Sequence, residues 1–325
     1  MVGIASIRST NAAFSSTPGA KGLVAVFVGA TAGIGETAMK TFVSSTVAPT
    51  VYFVGRSESA GEKITTELQK LNPDSKIQFF QADTTLLSNV DNISSQIAAK
   101  EKKLNLLFMS PGYMSMAGRE ETPEGLDRKM TVSYYCRLKF ATNLLPLLKT
   151  ASEASESARI ISVLGTSREG PLIMDDLGLA KPGNFTLSNC ELHTVTMTSL
   201  AFEHLSKQNP GIGFIHAIPG IVMTGIAREL PTPLRVLTTV ASPLMKCFSV
   251  PIDDCGQGFA WLGTDEKFRK GLWLVDWKGE SVDTRTGSKG WMSRSGDWFS
   301  EEKMSAVWEH TMGAFRNAKA AGGSA

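Results

Sequence analysis

The stretch Val24–Met39, VAVFVGATAGIGETAM, constrains the fold more than any other part of the chain. Leu23 to Val28 is a short, β-branched apolar run, the composition of a parallel strand buried on both faces. The chain then turns through Gly29-Ala30-Thr31-Ala32-Gly33-Ile34-Gly35 and enters a segment suited to a helix from Glu36. Strand, glycine turn and helix together aim unpaired backbone N–H groups and the positive end of a helix at one point, where a phosphate binds. Gly29 permits the tight turn, Gly33 lets backbone approach a pyrophosphate, and Gly35 lets the helix pack on the strand. Thr31 and Ile34 share that turn. The expected ligand is a dinucleotide.

The rest of the chain repeats the alternation. Apolar runs at Thr50–Gly55, Lys76–Gln81, Leu104–Met109, Arg159–Leu164, Ile212–Ile218 and Leu272–Val275 read as strands. Helical spacing occupies Glu62–Leu71, Val90–Lys102, Pro123–Lys149 and Ser188–Lys207. Such alternation predicts an α/β fold with a doubly wound parallel sheet. Ligands in such sheets bind at the carboxyl ends of the strands. Three segments are expected: an extension over 1–20 that leans on the domain or frays, a dinucleotide-binding domain over 21–275, and a C-terminal extension over 276–325.

Composition narrows the class. The 325 residues are 42% hydrophobic and 20% charged, enough for a sizeable core. The net charge of +2, without a basic run, argues against a nucleic-acid surface. Cys136, Cys190, Cys247 and Cys255 are far apart and form no C-x-x-C pair, so they read as reduced thiols of a cytoplasmic protein, with no metal site. The Ser/Thr-rich start is expected not to be a secretory signal. No apolar stretch reaches the roughly 18 residues of a membrane span, so no stable membrane insertion is expected.

The strand ends carry the remaining cofactor candidates. Arg56 follows the second strand, and no acid stands at Phe53, Val54 or Gly55. An acid there would hold a ribose diol, whereas a base accepts a 2′-phosphate, so NADP(H) is expected over NAD(H). Asp83-Thr84 closes the third strand, with Asp83 placed to accept from an adenine amino group. Ser110-Pro111-Gly112 closes the fourth, where small residues let a nucleotide lie on backbone. Pro219-Gly220, Val222 and Thr224 follow the sixth, with Thr224 placed to bond a carboxamide or a phosphate.

These residues resemble the short-chain dehydrogenase/reductase family over roughly residues 22 to 275. Gly29–Gly35 matches its glycine motif, Asp83 its adenine aspartate, and Ser110-Pro111-Gly112 its Asn-Ala-Gly turn with two changes. Pro219-Gly220 with Thr224 matches its late Pro-Gly/Thr motif. The phrases EGLDRKMTVSYYCR at 124–137 and NPGIGFIHAIPGIVMTG at 209–225 look like fungal members associated with secondary metabolism. The resemblance implies a Rossmann-type fold, a nicotinamide cofactor and a hydroxyl/ketone or C=C substrate.

The resemblance fails at the chemistry. The family uses a tyrosine whose pKa is lowered by a lysine four residues on, with a serine after the fifth strand and an asparagine on the preceding long helix. No tyrosine stands between Thr166 and Lys207. The tyrosine position falls near Glu191, the lysine position near Val195, the serine position at Leu164 or Gly165, and the asparagine position at Ser133. Replacement acid/base candidates are His193, whose ordinary pKa suits proton transfer at neutral pH, and Glu191. Ser133, Tyr134 or Tyr135 reaching the cleft, and the hydroxyls of Thr166 and Ser167, are further candidates. Arg168-Glu169 reads as a solvated pair.

Leu230–Pro251 is an apolar segment in the place of the family's substrate cover, and a lid of that kind suits a small apolar organic substrate; the alternatives are a buried helix, or a surface patch in a homo-oligomer or against a membrane. The tail carries Trp277, Trp291, Trp298 and Trp308, which suggests docking onto the domain or a partner, and Ala320–Ala325 reads as disordered. The leading expectation is an NADP(H)-dependent oxidoreductase of a secondary-metabolite intermediate with a nonstandard acid/base. The alternatives are a cyclase, isomerase or dehydratase on the same scaffold with the cofactor structural or absent, and a catalytically dead binding or regulatory protein.

Overall fold

The computed structural model describes residues 2–112, 115–224, 249–282 and 298–322. Seven parallel strands form one sheet: β1 (Val24–Val28), β2 (Thr50–Gly55), β3 (Lys76–Gln81), β4 (Leu106–Met109), β5 (Arg159–Val163), β6 (Gly213–Ala217) and β7 (Gly271–Val275). Their order is β3-β2-β1-β4-β5-β6-β7, so the direction of winding reverses between β1 and β4. The interior strands β1, β4, β5 and β6 are buried along their whole length, which is why they read as unbroken apolar runs.

Helices cover both faces. On one face lie α1 (Ile4–Phe14), α2 (Gly33–Ser44) and α3 (Glu58–Leu71). On the other lie α4 (Leu87–Lys100), a short α5 (Arg128–Met130) running through a π turn (Thr131–Tyr135) into α6 (Cys136–Glu153), and α7 (Leu187–Gln208). Then α8 (Ile252–Thr264) returns to the first face beside α2, and α9 (Glu301–Gly322) lies on α7 and α4. The long helix starts later than its spacing suggests. Asp127 caps it by accepting from Lys129 N and Met130 N, while Glu124 reaches back to cap α4 at the amides of Leu87 and Ser88.

Both extensions carry a helix that lies on the domain. Residues 4–14 are helical and docked: Ile7 is buried, Arg8 Nη2 meets Asp254 Oδ1 at 2.6 Å, and Asn11 donates to Gln257. The Ser/Thr-rich composition hides an apolar stripe of Ile4, Ile7 and Phe14. At the other end Trp298, Met304, Val307, Phe315 and Ala318 join the core, and Trp308 stacks on His204 at 4.5 Å. The tail docks on its own domain, and its helix continues through Gly322 instead of ending before Ala320. Trp291 lies outside the described residues.

Candidate active site

The glycine turn is tightly enclosed. Gly29 has φ +76°, and a Cβ there would lie 2.5 Å from Pro111 Cα. A Cβ on Gly35 would lie 2.5 Å from Gly29 O and 2.6 Å from Ser110 Oγ. Ser110 Oγ donates to Gly29 O at 3.3 Å, which ties the turn after β4 to the turn after β1. Gly33 faces Thr224, whose Cγ2 would sit 3.4 Å from a Cβ at that glycine. Thr31 fills the space beside Gly55 at the end of β2. The sequence-predicted groups from β1, β2, β4 and β6 therefore converge on one rim. Ala32, which precedes α2, makes no side-chain cap bond, so the amides that begin α2 suit a phosphate. These features fit a dinucleotide.

The other cofactor candidates have definite places. Arg56 is exposed beyond β2. Asp83 Oδ1 accepts from Thr85 N at 2.9 Å, so one carboxylate oxygen shapes its own turn. Thr84 is buried beside Cys136. Ile34 and Val222 pack against the core of the first face, and Gly112 is exposed. Beyond Pro219 a cavity of about 460 Å³ opens, walled mainly by Ile7, Val250, Phe259, Trp261 and Trp277. Most of the apolar segment proposed as a lid lies outside the described residues, as do Tyr113 and Cys247.

Under the ends of β4 and β5 sits Arg137, which the sequence reading passed over. It is 2% exposed and has no carboxylate bonded to it among the described residues. Its guanidinium donates to Ser162 Oγ, Val163 O, Pro111 O, Met109 O and Val132 O. Burial lowers its pKa to about 10, so it stays charged at neutral pH. Backbone carbonyl dipoles take the place of a counter-ion.

A second buried network lies next to it. Gly165 N–H donates to His216 Nε2 at 3.3 Å, and His216 Nδ1 lies 2.8 Å from Ser199 Oγ. Because Nε2 accepts, the proton sits on Nδ1 and the ring is neutral. Burial, and then the charge of Arg137, lower the His216 pKa to about 3. Ser199 Oγ donates to Glu169 Oε1 at 2.7 Å, and Thr166 Oγ1 donates to the same oxygen at 3.0 Å. Arg168-Glu169 is therefore not a solvated pair: Arg168 forms an ion pair with Glu191, and Glu169 is 2% exposed. Burial raises the Glu169 pKa against the pull of Ser199, Thr166 and nearby backbone amides.

The predicted acid/base candidates fare unequally. His193 is buried with both nitrogens engaged: Nε2 accepts from Ile173 N at 3.1 Å and Nδ1 meets Leu177 O at 3.2 Å. Burial also lowers its pKa. It clips the 173–177 loop to α7 and has no free nitrogen to act as an acid. Tyr134 and Tyr135 do not present their hydroxyls to the cleft. Tyr134 Oη bonds Thr311 Oγ1 at 2.5 Å and Tyr135 Oη bonds His310 Nε2 at 2.8 Å, both on α9. Burial raises the pKa of each phenol. A Tyr-x-x-x-Lys spacing does occur at Tyr135 and Lys139, but Lys139 Nζ pairs with Asp91 at 2.8 Å, away from the phenol. Ser133 is half-buried on the π turn, a local widening found often at functional sites. Glu191 is half-buried in its ion pair with Arg168.

The positions that carry the family's chemistry do meet. A Cβ on Gly165 would come 2.9 Å from Val195 Cγ2, so the serine position abuts the lysine position with neither group present. The hydroxyls stand just beyond, on Thr166 and on Ser167, which is 7% exposed with φ +75° and no partner for Oγ. Part of the signal was in the sequence: Ser162 and His216 are polar residues inside otherwise apolar strand runs.

Comparison with known proteins agrees with this architecture. The short chain dehydrogenase family model matches residues 23–173. The chain is 40% identical over 259 residues to oxidoreductase AN1596 of Emericella nidulans, spanning 79% of this chain and 75% of that one. It is 30% identical to the short-chain dehydrogenase/reductase SAT2 of Stachybotrys chartarum, over 82% of this chain and 79% of that one. Among solved structures, the RhlG/NADP active-site complex of Pseudomonas aeruginosa shares the fold, with a TM-score of 0.58 and 17% identity over 79% of this chain and 96% of that one. With its glycine cradle, its seven parallel strands and these fungal relatives, the chain belongs to the short-chain dehydrogenase/reductase family of oxidoreductases.

Proposed function

We propose that this is a cytoplasmic NADP(H)-dependent oxidoreductase that transfers hydride to or from a small apolar natural-product intermediate. The observation that carries the reading is the rim itself: a glycine turn with no room for a side chain at Gly29 or Gly35, and an exposed Arg56 with no acid at the end of β2. The cofactor supplies the hydride. Backbone amides at the start of α2 hold its pyrophosphate, Arg56 its 2′-phosphate, and Thr224 its carboxamide side. The apolar cavity beyond Pro219 and the fungal relatives support a greasy substrate. Titration with NADPH and NADH, followed by nicotinamide fluorescence, tests it. NADPH is expected to bind more tightly, and Arg56→Ala to weaken NADPH by roughly tenfold or more while sparing NADH, the worth of a charge-assisted contact. Equal binding of the two by the wild type would refute the NADP(H) assignment.

One observation favours a second reading, a cyclase, isomerase or dehydratase. Helix α7 carries no tyrosine, and the hydroxyls of Tyr134 and Tyr135 are committed to α9. Oxidation of NADPH in the presence of a candidate ketone separates the two.

A further inference from the structure

The cavity beyond Pro219 opens at the carboxyl ends of β6 and β7, and its 460 Å³ suits a small organic molecule. Its walls are apolar: Ile7 of α1, and Phe259, Trp261 and Leu262 of α8, are all buried. Two further apolar residues that line it are left open to solvent, Trp277 at 48% and Ile4 at 38% exposure. The wall also touches the cofactor rim. A Cβ on Gly220 would lie 3.0 Å from Trp277 Cβ and 3.3 Å from Val250 Cγ2.

Two glycines stand inside α8, although glycine is a poor helix former. Gly256 has a packing reason: a Cβ there would lie 2.7 Å from Thr37 Cβ, where α2 packs on α8. Gly258 has none, because a Cβ there meets nothing within 4 Å. It lines the cavity instead. The missing side chain keeps open a space that any larger residue would enter.

The charged groups that line the cavity differ in how they are engaged. Asp254 pairs with Arg8 at 2.6 Å, and Asp276 Oδ1 accepts from the amides of Lys278 and Glu280, both at 2.9 Å. Glu280 is exposed, and Lys278 acts on it through space without an ion pair. Lys278 forms no ion pair among the described residues; its Nζ stands 5.2 Å from the centre of the Trp277 ring. A cation resting on an aromatic face beside apolar walls suits an anionic head on an apolar body.

We propose that the cavity holds the apolar body of the substrate, and that the substrate is a ring-bearing carboxylic acid whose carboxylate meets Lys278. The inference rests on the oxidoreductase reading and narrows its substrate class. Phe259, Trp261 and Trp277 offer faces and edges to flat rings. Lys278 fixes which end of the molecule faces the mouth, and Gly258 leaves room for the rest.

Calorimetric titration of the full chain with naphthylacetate and with its methyl ester is the test, without cofactor or turnover. Wild type should bind the acid saturably and roughly tenfold more tightly than the ester, the worth of a charge-assisted contact. Gly258→Leu suits the helix and fills the open space. It should melt no lower than wild type, bind NADPH equally, and weaken both ligands by roughly tenfold or more through steric exclusion. Lys278→Met keeps most of the stem and should bring the acid down to the affinity of the ester. No saturable binding of the acid by wild type, or undiminished binding by Gly258→Leu, overturns the cavity as the site. Equal affinity of wild type for acid and ester overturns the carboxylate. Failure of wild type to bind NADPH while it still binds the acid would instead strike the oxidoreductase reading and leave the cavity's ligand class standing.

Discussion

Arg137 donates through Nη1 to Ser162 Oγ at 2.8 Å, joining a helix residue to the middle of the sheet. The same guanidinium holds Pro111 O at 2.7 Å and Val163 O at 2.7 Å, so the turns after β4 and β5 are set by one side chain. Arg137→Met keeps much of the volume and removes every donor. Each buried acceptor left unpaired costs about 1–3 kcal/mol. The variant should lose roughly 3 kcal/mol or more in urea unfolding and weaken NADPH binding, because Pro111 abuts Gly29. Unchanged stability would mean that water replaces the guanidinium.

Two glycines share a left-handed backbone and differ in surroundings. Gly22 has φ +65° with nothing within 4 Å of a Cβ, whereas Gly29 has φ +76° with Pro111 Cα at 2.5 Å. Gly22→Ala pays only the backbone term, about 1–2 kcal/mol. Gly29→Ala adds a clash with backbone that has no rotamer to escape into. Thermal unfolding should rank Gly29→Ala below Gly22→Ala, and only Gly29→Ala should lose NADPH fluorescence enhancement.

Much of the fold was legible because burial and period agree. Strands β2 and β3 begin and end where the sequence reading placed them: β2 is buried from Val51 to Gly55, and β3, at the sheet edge, is bounded by the exposed Lys76 and Gln81. Gly29, Gly33 and Gly35 were legible because a tight turn leaves a compositional mark. The acid/base site was not. His193 looked reactive by residue type, but its role depends on Ile173 and Leu177, brought to it by a loop whose path the sequence does not encode locally. Glu169 looked like a surface charge because Arg168 precedes it; the side chains go to opposite environments, which only the β5–α7 connection determines. The helix α1 was masked by its serines and threonines.

The C-terminal helix is part of the core. Tyr134 Oη and Thr311 Oγ1 meet at 2.5 Å, while Thr311 Oγ1 also donates to Val307 O at 2.7 Å. Thr311 thus spends its proton on its own helix and accepts from Tyr134. Tyr134→Phe removes the donor and leaves Thr311 still bonded, so the loss should be about 1 kcal/mol. Thr311→Val strands a buried phenol hydroxyl and should cost more. The order of the two variants in chemical denaturation checks the direction of the bond. Deleting residues 301–325 removes Val307 and Phe315 and exposes the core residues they cover, and should yield a protein that unfolds below the wild-type temperature by far more than either point change.

Acid stability follows from the histidines. The chain has four, and burial lowers the pKa of all of them: His193, His204, His216 and His310. A histidine whose folded pKa lies below its unfolded value stabilises the native state above the unfolded pKa and loses that contribution as pH falls. The unfolded chain takes up protons from about pH 6.5 downward, and His216 resists protonation in the folded state to about 3. Within that window His216 alone contributes a slope on the order of 1.4 kcal/mol per pH unit. Glu169 has the opposite sign. Its raised pKa gives stability that is present at low pH and lost as pH rises through the folded value, so it partly offsets the histidines at the acid end. Urea midpoints measured from pH 7 to 4 should therefore fall steeply. His216→Asn, destabilised at pH 7, should show a shallower fall over the same range. Parallel curves for the two proteins would show that His216 is not held neutral in the native state.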